Sequence, residues 1–404
     1  MEQKNINKCR ACGDYDNLKK VIDIGKVPLA GYFPKHGELF VDKNFDCFLF
    51  LCESCGMVQT NISIDSSELF EDYRYASSIG LSKHFDGVAK YLNDRFCLSM
   101  ERRVLEIGSN DGVLLKPLKD ISVSAIGIDP SANISRIAKK KGCEVIVDFF
   151  GRDSAKKHFT KNSFDLVVAN NVFAHVDDLD SIIEGIKHCM TAGGVFVAEV
   201  HYLLDLVSKC QYDFIYHEHI FYHSLFSLDN LFKKHDMSLY DFERIDVHSG
   251  SIRIFVKNGS QNVPPNVAEQ IKTEHEYGIT TAVGLLKFQD TIDNHVKECK
   301  KYLETIVKSG KRIVGFGASG RSNIFFNMMG IDTGLINYVF DESDERSNRF
   351  IPNCNIPIVK FDEEAASIEY DVVLISAWNY FEQIRNKIKA KEYVVLFPKP
   401  KKYQ

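Results

Sequence analysis

VLEIGSNDGVLL, residues 104–115, decides the fold. A short strand-like run enters a turn carrying Gly108 and Gly112, and apolar residues resume at once beyond it, so the segment reads strand, tight turn, helix. Outward from it, short β-branched runs recur as RRVLEIG, SAIGID, EVIVDF, FDLVVANN and GGVFVAEV, separated by helical spacing and ending near residue 200. Such alternation builds a mostly parallel sheet with helices on both faces. After a histidine-rich insertion, SLYDFERIDV and GSIRIFVKN lie close enough to pair as an antiparallel hairpin at the sheet edge. Residues 264–308 lack Gly-rich punctuation and are rich in Glu, Lys, Leu and Ile at helical spacing, which predicts long connecting helices. A second alternation, KRIVGFGASG, INYVFDE, YDVVLISAW and YVVLFP, predicts a smaller Rossmann-like domain over residues 309–404.

Composition bounds the function. The chain has 404 residues, 45% hydrophobic and 26% charged, which excludes disorder and suits two or three domains of ~100–200 residues. Fifty basic against 55 acidic residues leave a formal charge of −5, so nothing predicts a nucleic-acid or anionic-membrane partner, and a small molecule is expected. The opening MEQKNINKCRACGD is polar and no window approaches ~18 consecutive apolar residues, so the expected setting is a reducing cytoplasm. Nothing in the sequence calls for a dimer.

Eleven cysteines are unevenly placed. Cys9, Cys12, Cys52 and Cys55 form two CxxC pairs that can close a tetrahedral Zn(II) shell, and a complete sulfur shell makes the metal structural. Cys47 is an extra that could replace one ligand, and it and Cys354 are otherwise read as reduced side chains. The zinc module is assigned residues 1–66, and the sheet domain residues 67–263. Residues 67–98 read as a helical connector and lid bearing Tyr73 and Tyr75.

Glu106, Gly108 and Gly112 match the E-x-G-x-x-x-G form of S-adenosylmethionine-dependent methyltransferases rather than a dinucleotide G-x-G-x-x-G, with Asn110 inside the turn. Gly108 is expected to let backbone approach the cofactor's amino-acid end. Asp129, ending the next strand, is placed to accept both ribose hydroxyls, and Asp148 and Phe149 to flank the adenine. ANNVFAH puts Asn170, Asn171 and His175 over the carboxyl edge of the sheet, where open α/β sheets bind ligands.

The segment FIYHEHIFYHS, residues 214–224, holds three of the chain's 13 histidines, with His201 upstream. Histidine, glutamate and tyrosine together can remove a proton, orient the base and polarise an oxygen. An HxH metal site and a plain polar loop are the other readings of these residues. In the C-terminal domain, Gly317, Ser319, Arg321 and Asn323 follow a strand, where helix N–H groups and a guanidinium suit a phosphate; a purely structural turn is the alternative. Trp378 and Asn379 follow a later strand, where the indole could stack on a base or sugar or belong to the core.

In order, the four-cysteine module, EIGSNDG, IYHEH and GFGASG resemble the sugar C-methyltransferases that build branched deoxysugars for antibiotics and bacterial surface glycans. The resemblance covers essentially the whole chain, and IYHEHIFYHSL is its most specific part. It implies an α/β protein with a structural Zn²⁺ module, a class I methyltransferase Rossmann-like domain and a C-terminal Rossmann-like domain holding a nucleotide-linked 4-keto-6-deoxysugar, methylated beside the ketone, usually at C3. It implies His219 as base, with Tyr216, Glu218, His175 and Tyr73 or Tyr75 around the reaction. His248 and Arg253, in HSGSIR, join the substrate residues. Three stretches depart from the pattern: GASGRSN, NRFIPNCNIPI and Ser249, where a glycine is commoner. An O-methyltransferase acting on a nucleotide-linked sugar and a non-catalytic nucleotide-binding module are the competing functions.

Overall fold

A computed structural model of the chain describes residues 3–35, 44–64 and 77–404. The chain packs as two compact units, one of Met1–Lys19, Leu51–Leu203 and Ile220–Thr281, the other of Lys20–Phe50, Leu204–His219 and Ala282–Gln404. The boundaries at 66, 263 and 308 read from the sequence run serially, whereas the packing is interleaved. Long-range polar contacts are the reason. Within the second unit, Asn323 Nδ2 donates to the Leu29 and Ala30 carbonyls, and the Tyr212 hydroxyl meets His295 Nδ1 at 2.8 Å.

The N-terminal segment holds β1 (Gln3–Asn5), β2 (Leu18–Pro28), β3 (Asn44–Cys52), β4 (Val58–Thr60) and β5 (Ile62–Ile64). The first unit holds β6 (Arg103–Ile107), β7 (Ser124–Asp129), β8 (Glu144–Val147), β9 (Phe164–Asn170), β10 (Met190–His201), β11 (Phe221–Tyr222), β12 (Met237–Ile245) and β13 (Ser251–Asn258), while most of β2 and β3 belongs to the second. Among the described residues its main sheet runs β12-β13-β10-β9-β6-β7-β8. The strands from β10 to β8 are parallel, and β12 and β13 form the expected antiparallel hairpin at the edge. Helix Ser78–Phe96 covers one face with Phe85, Val88, Ala89 and Leu92, a helical stripe packed with Val104, Leu166, Val168 and Val197. Chain order reverses between β6 and β9, so the turn after β6 and the end of β9 flank the crevice where such sheets bind ligands.

The second unit's sheet comprises β14 (Ile313–Phe316), β15 (Val339–Asp341), β16 (Arg349–Ile351), β17 (Ile356–Lys360), β18 (Glu369–Ile375), β19 (Lys389–Val395) and β20 (Lys401–Tyr403), ordered β16-β17-β15-β14-β18-β19-β20. Its inner strands are parallel and both edges antiparallel. The helical stretch expected over 264–308 is two helices, Pro265–Tyr277 ending at a left-handed Gly278 and Ala282–Lys308, which fall in different units. Among the described residues no helix is long and apolar enough to cross a membrane.

Candidate active site and metal centre

The metal centre follows from two copies of one local pattern, C-x-x-C-G. Gly13 N–H donates to the Cys9 carbonyl and Gly56 N–H to the Cys52 carbonyl, each at 2.8 Å, and both glycines lie in the left-handed region at φ 83° and 74°. Each knuckle thereby turns two thiols to one side. The four sulfurs lie within 4.8 Å of one another, with Cys9–Cys55 and Cys12–Cys52 at 3.6 Å. A tetrahedron of ~2.3 Å Zn–S bonds has edges of ~3.8 Å, so the residues fit Zn²⁺, and four thiolates leave no position for substrate. Cys47 is buried outside this cluster, and burial pushes its thiol up to about 12. A Cβ at Gly56 would sit 2.3 Å from the Phe226 ring, whereas one at Gly13 meets nothing within 4 Å. Both substitutions carry the ~1–2 kcal/mol left-handed penalty. Gly56→Ala is therefore expected to lower the melting temperature clearly more than Gly13→Ala, and equal losses would count against this packing.

At the crevice of the first unit, Gly108 and Gly112 have φ 69° and 78°. A Cβ at Gly108 would lie 2.5 Å from Val172 Cγ2, so the glycine is required by close approach of the chain's own Val172, a different reason from the expected approach of cofactor. Gly108→Ala is expected to lower both cofactor affinity and melting temperature, measured by calorimetry and thermal unfolding. Asp129 clamps the turn: Oδ2 accepts from Asn110 N–H and Oδ1 from Ser131 N–H, both at 2.9 Å. Asn110 in turn accepts from Ser77 N–H. Burial, reinforced by Asp129 and Asp111, raises Glu106 well above its ordinary value.

The side-chain oxygen and nitrogen of Asn170 are buried at the end of β9 without a partner among the described residues. Phe149 stays 39% exposed beside an open groove of about 420 Å³ lined also by Asp148, Phe150 and Ser181. Asp148 is turned toward His158 and Lys157, which hold its carboxyl below its ordinary value. An orphaned amide and an exposed aromatic face fit a polar, ring-bearing cofactor. His175 is half-buried in the turn after β9, its N–H on the Val172 carbonyl.

In the second unit, Tyr212–Phe214 forms a 3-10 turn, and His219 N–H closes a further turn on the Tyr216 carbonyl. His219 is 7% exposed. Its Nδ1 lies 3.0 Å from the Phe214 carbonyl, which can only accept, so Nδ1 carries the proton and Nε2 presents a lone pair to the Tyr216 hydroxyl at 3.1 Å. The Phe214 carbonyl thus supplies the orientation expected from Glu218. The Glu218 carboxyl receives the Gly31 N–H, and burial pushes it up to about 7. Between its ordinary 4.5 and about 7 the folded chain keeps a proton that the unfolded chain has released, so this residue's contribution to stability falls as pH rises through that window. Glu218→Gln is expected to give a smaller drop in melting temperature across that window than the parent shows; parallel drops would contradict it.

The remaining histidines of the segment are packing groups. His217 and His223 are each 1% exposed, and burial pushes both down to about 4. They are neutral at pH 7. Among the described residues the four cysteines are the one metal-type cluster, so the HxH metal reading has no support. Tyr73 and Tyr75 lie outside the described residues.

Around the second glycine turn several expected substrate residues have internal partners. Gly317, at φ 101°, would place a Cβ 2.5 Å from Ala377 Cβ, so its freedom serves the chain's own packing. Ser319 caps the helix Gly320–Met329 by accepting from Ser322 N–H. Asn323 is fully buried on the Leu29 and Ala30 carbonyls, a structural tie in place of the expected substrate contact. Arg321, expected at a phosphate, is bidentate to Asp213 at 2.8 and 2.9 Å, and Trp378, expected at a base or sugar, donates its Nε1–H to the same carboxylate at 2.9 Å. Asn379 is exposed. In the first unit Arg253, also expected at the substrate, donates to Glu199 at 2.6 Å and Glu243 at 3.2 Å. His248 and Ser249 have φ 52° and 68°, so the position where glycine is commoner is one that glycine suits.

Three family models match consecutive parts of the chain: a proposed zinc binding domain over residues 9–70, a methyltransferase domain over 79–240 and a C-methyltransferase C-terminal domain over 246–395. The C-methyltransferase NovU of Streptomyces niveus is 28% identical over 98% of this chain and 96% of its own length. Over nearly its whole length the chain is similar to a C-methyltransferase. A ubiquinone biosynthesis O-methyltransferase of a Chelativorans species is 30% identical, but over only 24% of this chain and 40% of its own. The crystal structure of a Synechocystis magnesium protoporphyrin IX methyltransferase covers 45% of this chain and 81% of that one at 13% identity and a TM-score of 0.35.

Two features of this C-methyltransferase escaped sequence reading. Asp341 clamps the second glycine turn as Asp129 clamps the first, its Oδ2 accepting from Ala318 N–H and its Oδ1 from Ser343 N–H, both at 2.8 Å. The shared strand-end pattern D-x-S, in IDPS and FDES, is the signal that could have found it. The second feature, Asp213, has no local signature, since its partners are 108 and 165 positions away.

Proposed function

We propose that this C-methyltransferase uses S-adenosylmethionine to methylate a nucleotide-linked 4-keto-6-deoxysugar at the carbon beside the ketone, C3. The observation that carries the reading is the set tautomer of His219, which leaves Nε2 as an acceptor beside a phenol donor. Carbon is a poor nucleophile, and a proton α to a ketone is acidic enough for a positioned imidazole to remove. His219 Nε2 takes that proton, the C–H electron pair passes to the carbonyl oxygen, and the Tyr216 hydroxyl or His175 donates to the resulting enolate. The imidazolium then returns its proton to water. Glu106, Asn110, Asp129, Phe149 and Asn170 would hold the cofactor, with Asp148 beside the ring face. When bound there, the cofactor supplies an electrophilic methyl group to the acceptor carbon. The second glycine turn and the exposed Asn379 offer the nucleotide-sugar contacts, and Tyr73 or Tyr75 completes the acceptor site.

The test is turnover of a panel of nucleotide-linked 4-keto-6-deoxysugars with product NMR, alongside deuterium exchange at C3 without S-adenosylmethionine. A new C-methyl signal and donor-independent exchange are expected; a methoxy product would assign O-methylation instead.

A further inference from the structure

We propose that Arg321, paired with Asp213, is a positioning residue for the base, holding the Phe214–His219 segment through a column of stacked side chains. The inference rests on the reading of His219 as base. Five groups form the column. The Arg321 guanidinium lies 4.8 Å from the Trp378 ring centre and 5.0 Å from that of Phe214. Phe214 stacks on His219 at 4.4 Å with 27° between the planes, and His219 meets the Tyr216 ring at 4.1 Å. Trp378 is backed by Phe397 at 5.6 Å and 23°.

Charge and hydrogen bonding fasten this column at one point. The Asp213 side chain, 1% exposed, takes two parallel N–H bonds from Arg321 and the indole N–H of Trp378. Planar bidentate geometry sets the guanidinium plane, which a lysine could not do. Asp213 immediately precedes Phe214, whose ring covers His219 and whose carbonyl holds its Nδ1–H. Anchoring Asp213 therefore places both groups that orient the base. Arg321 stands in the first turn of the helix after the second glycine turn and Trp378 just beyond β18, so the anchors of the base come from the carboxyl edge of the second sheet.

The experiment uses full-length Asp213→Asn, Arg321→Gln, Trp378→Phe and the Asp213→Asn/Arg321→Gln double variant. Long-range ¹H–¹⁵N spectra of histidine-labelled protein report the His219 tautomer, assigned by its loss in His219→Asn. Steady-state kinetics are measured on the best panel substrate. Expected are a loss of the pure Nδ1–H form in Asp213→Asn and Arg321→Gln, a fall in kcat of about 10- to 100-fold, KM values within about twofold, and a double variant no worse than the poorer single. Folded variants that retain the Nδ1–H form and kcat, or lose only KM, would overturn the proposal. Should Arg321→Gln fail to fold, the isosteric Asp213→Asn and the ring-retaining Trp378→Phe decide by the same spectra. If the parent turns over no panel sugar, the functional reading fails, while the tautomer spectra still decide whether Arg321 and Asp213 position His219.

Discussion

His219→Gln is expected to lower both C3 deuterium exchange and methyl transfer by about 10²- to 10⁴-fold, the usual contribution of a positioned general base. Glutamine keeps a polar group near the Tyr216 hydroxyl and the Phe214 carbonyl but offers no nitrogen lone pair of imidazole basicity. The first measurement is the NMR rate of solvent exchange without S-adenosylmethionine, since that isolates proton removal from transfer. Cofactor affinity by calorimetry should stay at the parent value, because the cofactor residues proposed above all belong to the first unit. Tyr216→Phe should cost less, about 10-fold, as it removes a donor and leaves the base. Normal exchange in His219→Gln would reassign the base. Loss of methyl transfer with exchange intact would move His219 to a later step.

Removing the metal is expected to have the largest effect on stability. Structural Zn²⁺ contributes folding free energy directly, and losing it from a unit of this size should cost at least ~3–5 kcal/mol, or roughly 10 °C in melting temperature. Cys52→Ser and prolonged chelation should both bring the zinc content from one ion per chain to none. The damage should spread beyond the knuckles. Arg10, inside the first knuckle, donates to the Thr60 and Ile62 carbonyls and to Asp177 at 2.6–3.0 Å, and Asp177 lies two residues past His175. Faster proteolysis within residues 9–64 and a partial loss of activity are therefore expected together, the activity returning when Zn²⁺ is restored to chelated protein. Unchanged melting and activity in Cys52→Ser would show that the four sulfurs do not hold a structural ion.

Much of the architecture was legible because its causes are local. A strand entering a glycine turn and helix is written within a dozen residues, and the hairpin of β12 and β13 within some twenty. The CxxC pairs were legible for the same reason, although their geometry depends on glycines after each knuckle whose role shows only in φ. That residues 20–50 and 204–219 pack with the second unit was not legible, because this packing rests on partners far away in sequence. Arg321, Trp378, Asn323 and Arg253, expected at the substrate, each have a partner within the chain, and they illustrate one physical point. A polar side chain beside a glycine turn or strand end can serve a ligand or satisfy a buried neighbour, and residue type alone does not distinguish them.

By itself, the sequence determined the α/β class, the order of its parts and the four metal thiols, since alternation, turn glycines and ligand spacing act over a few residues. Only the tertiary structure decided which ring nitrogen of His219 faces the Phe214 carbonyl, which of the clustered histidines are buried, and that Asp213 holds Arg321. Those outcomes depend on burial and on hydrogen-bond partners that folding brings together from distant parts of the chain.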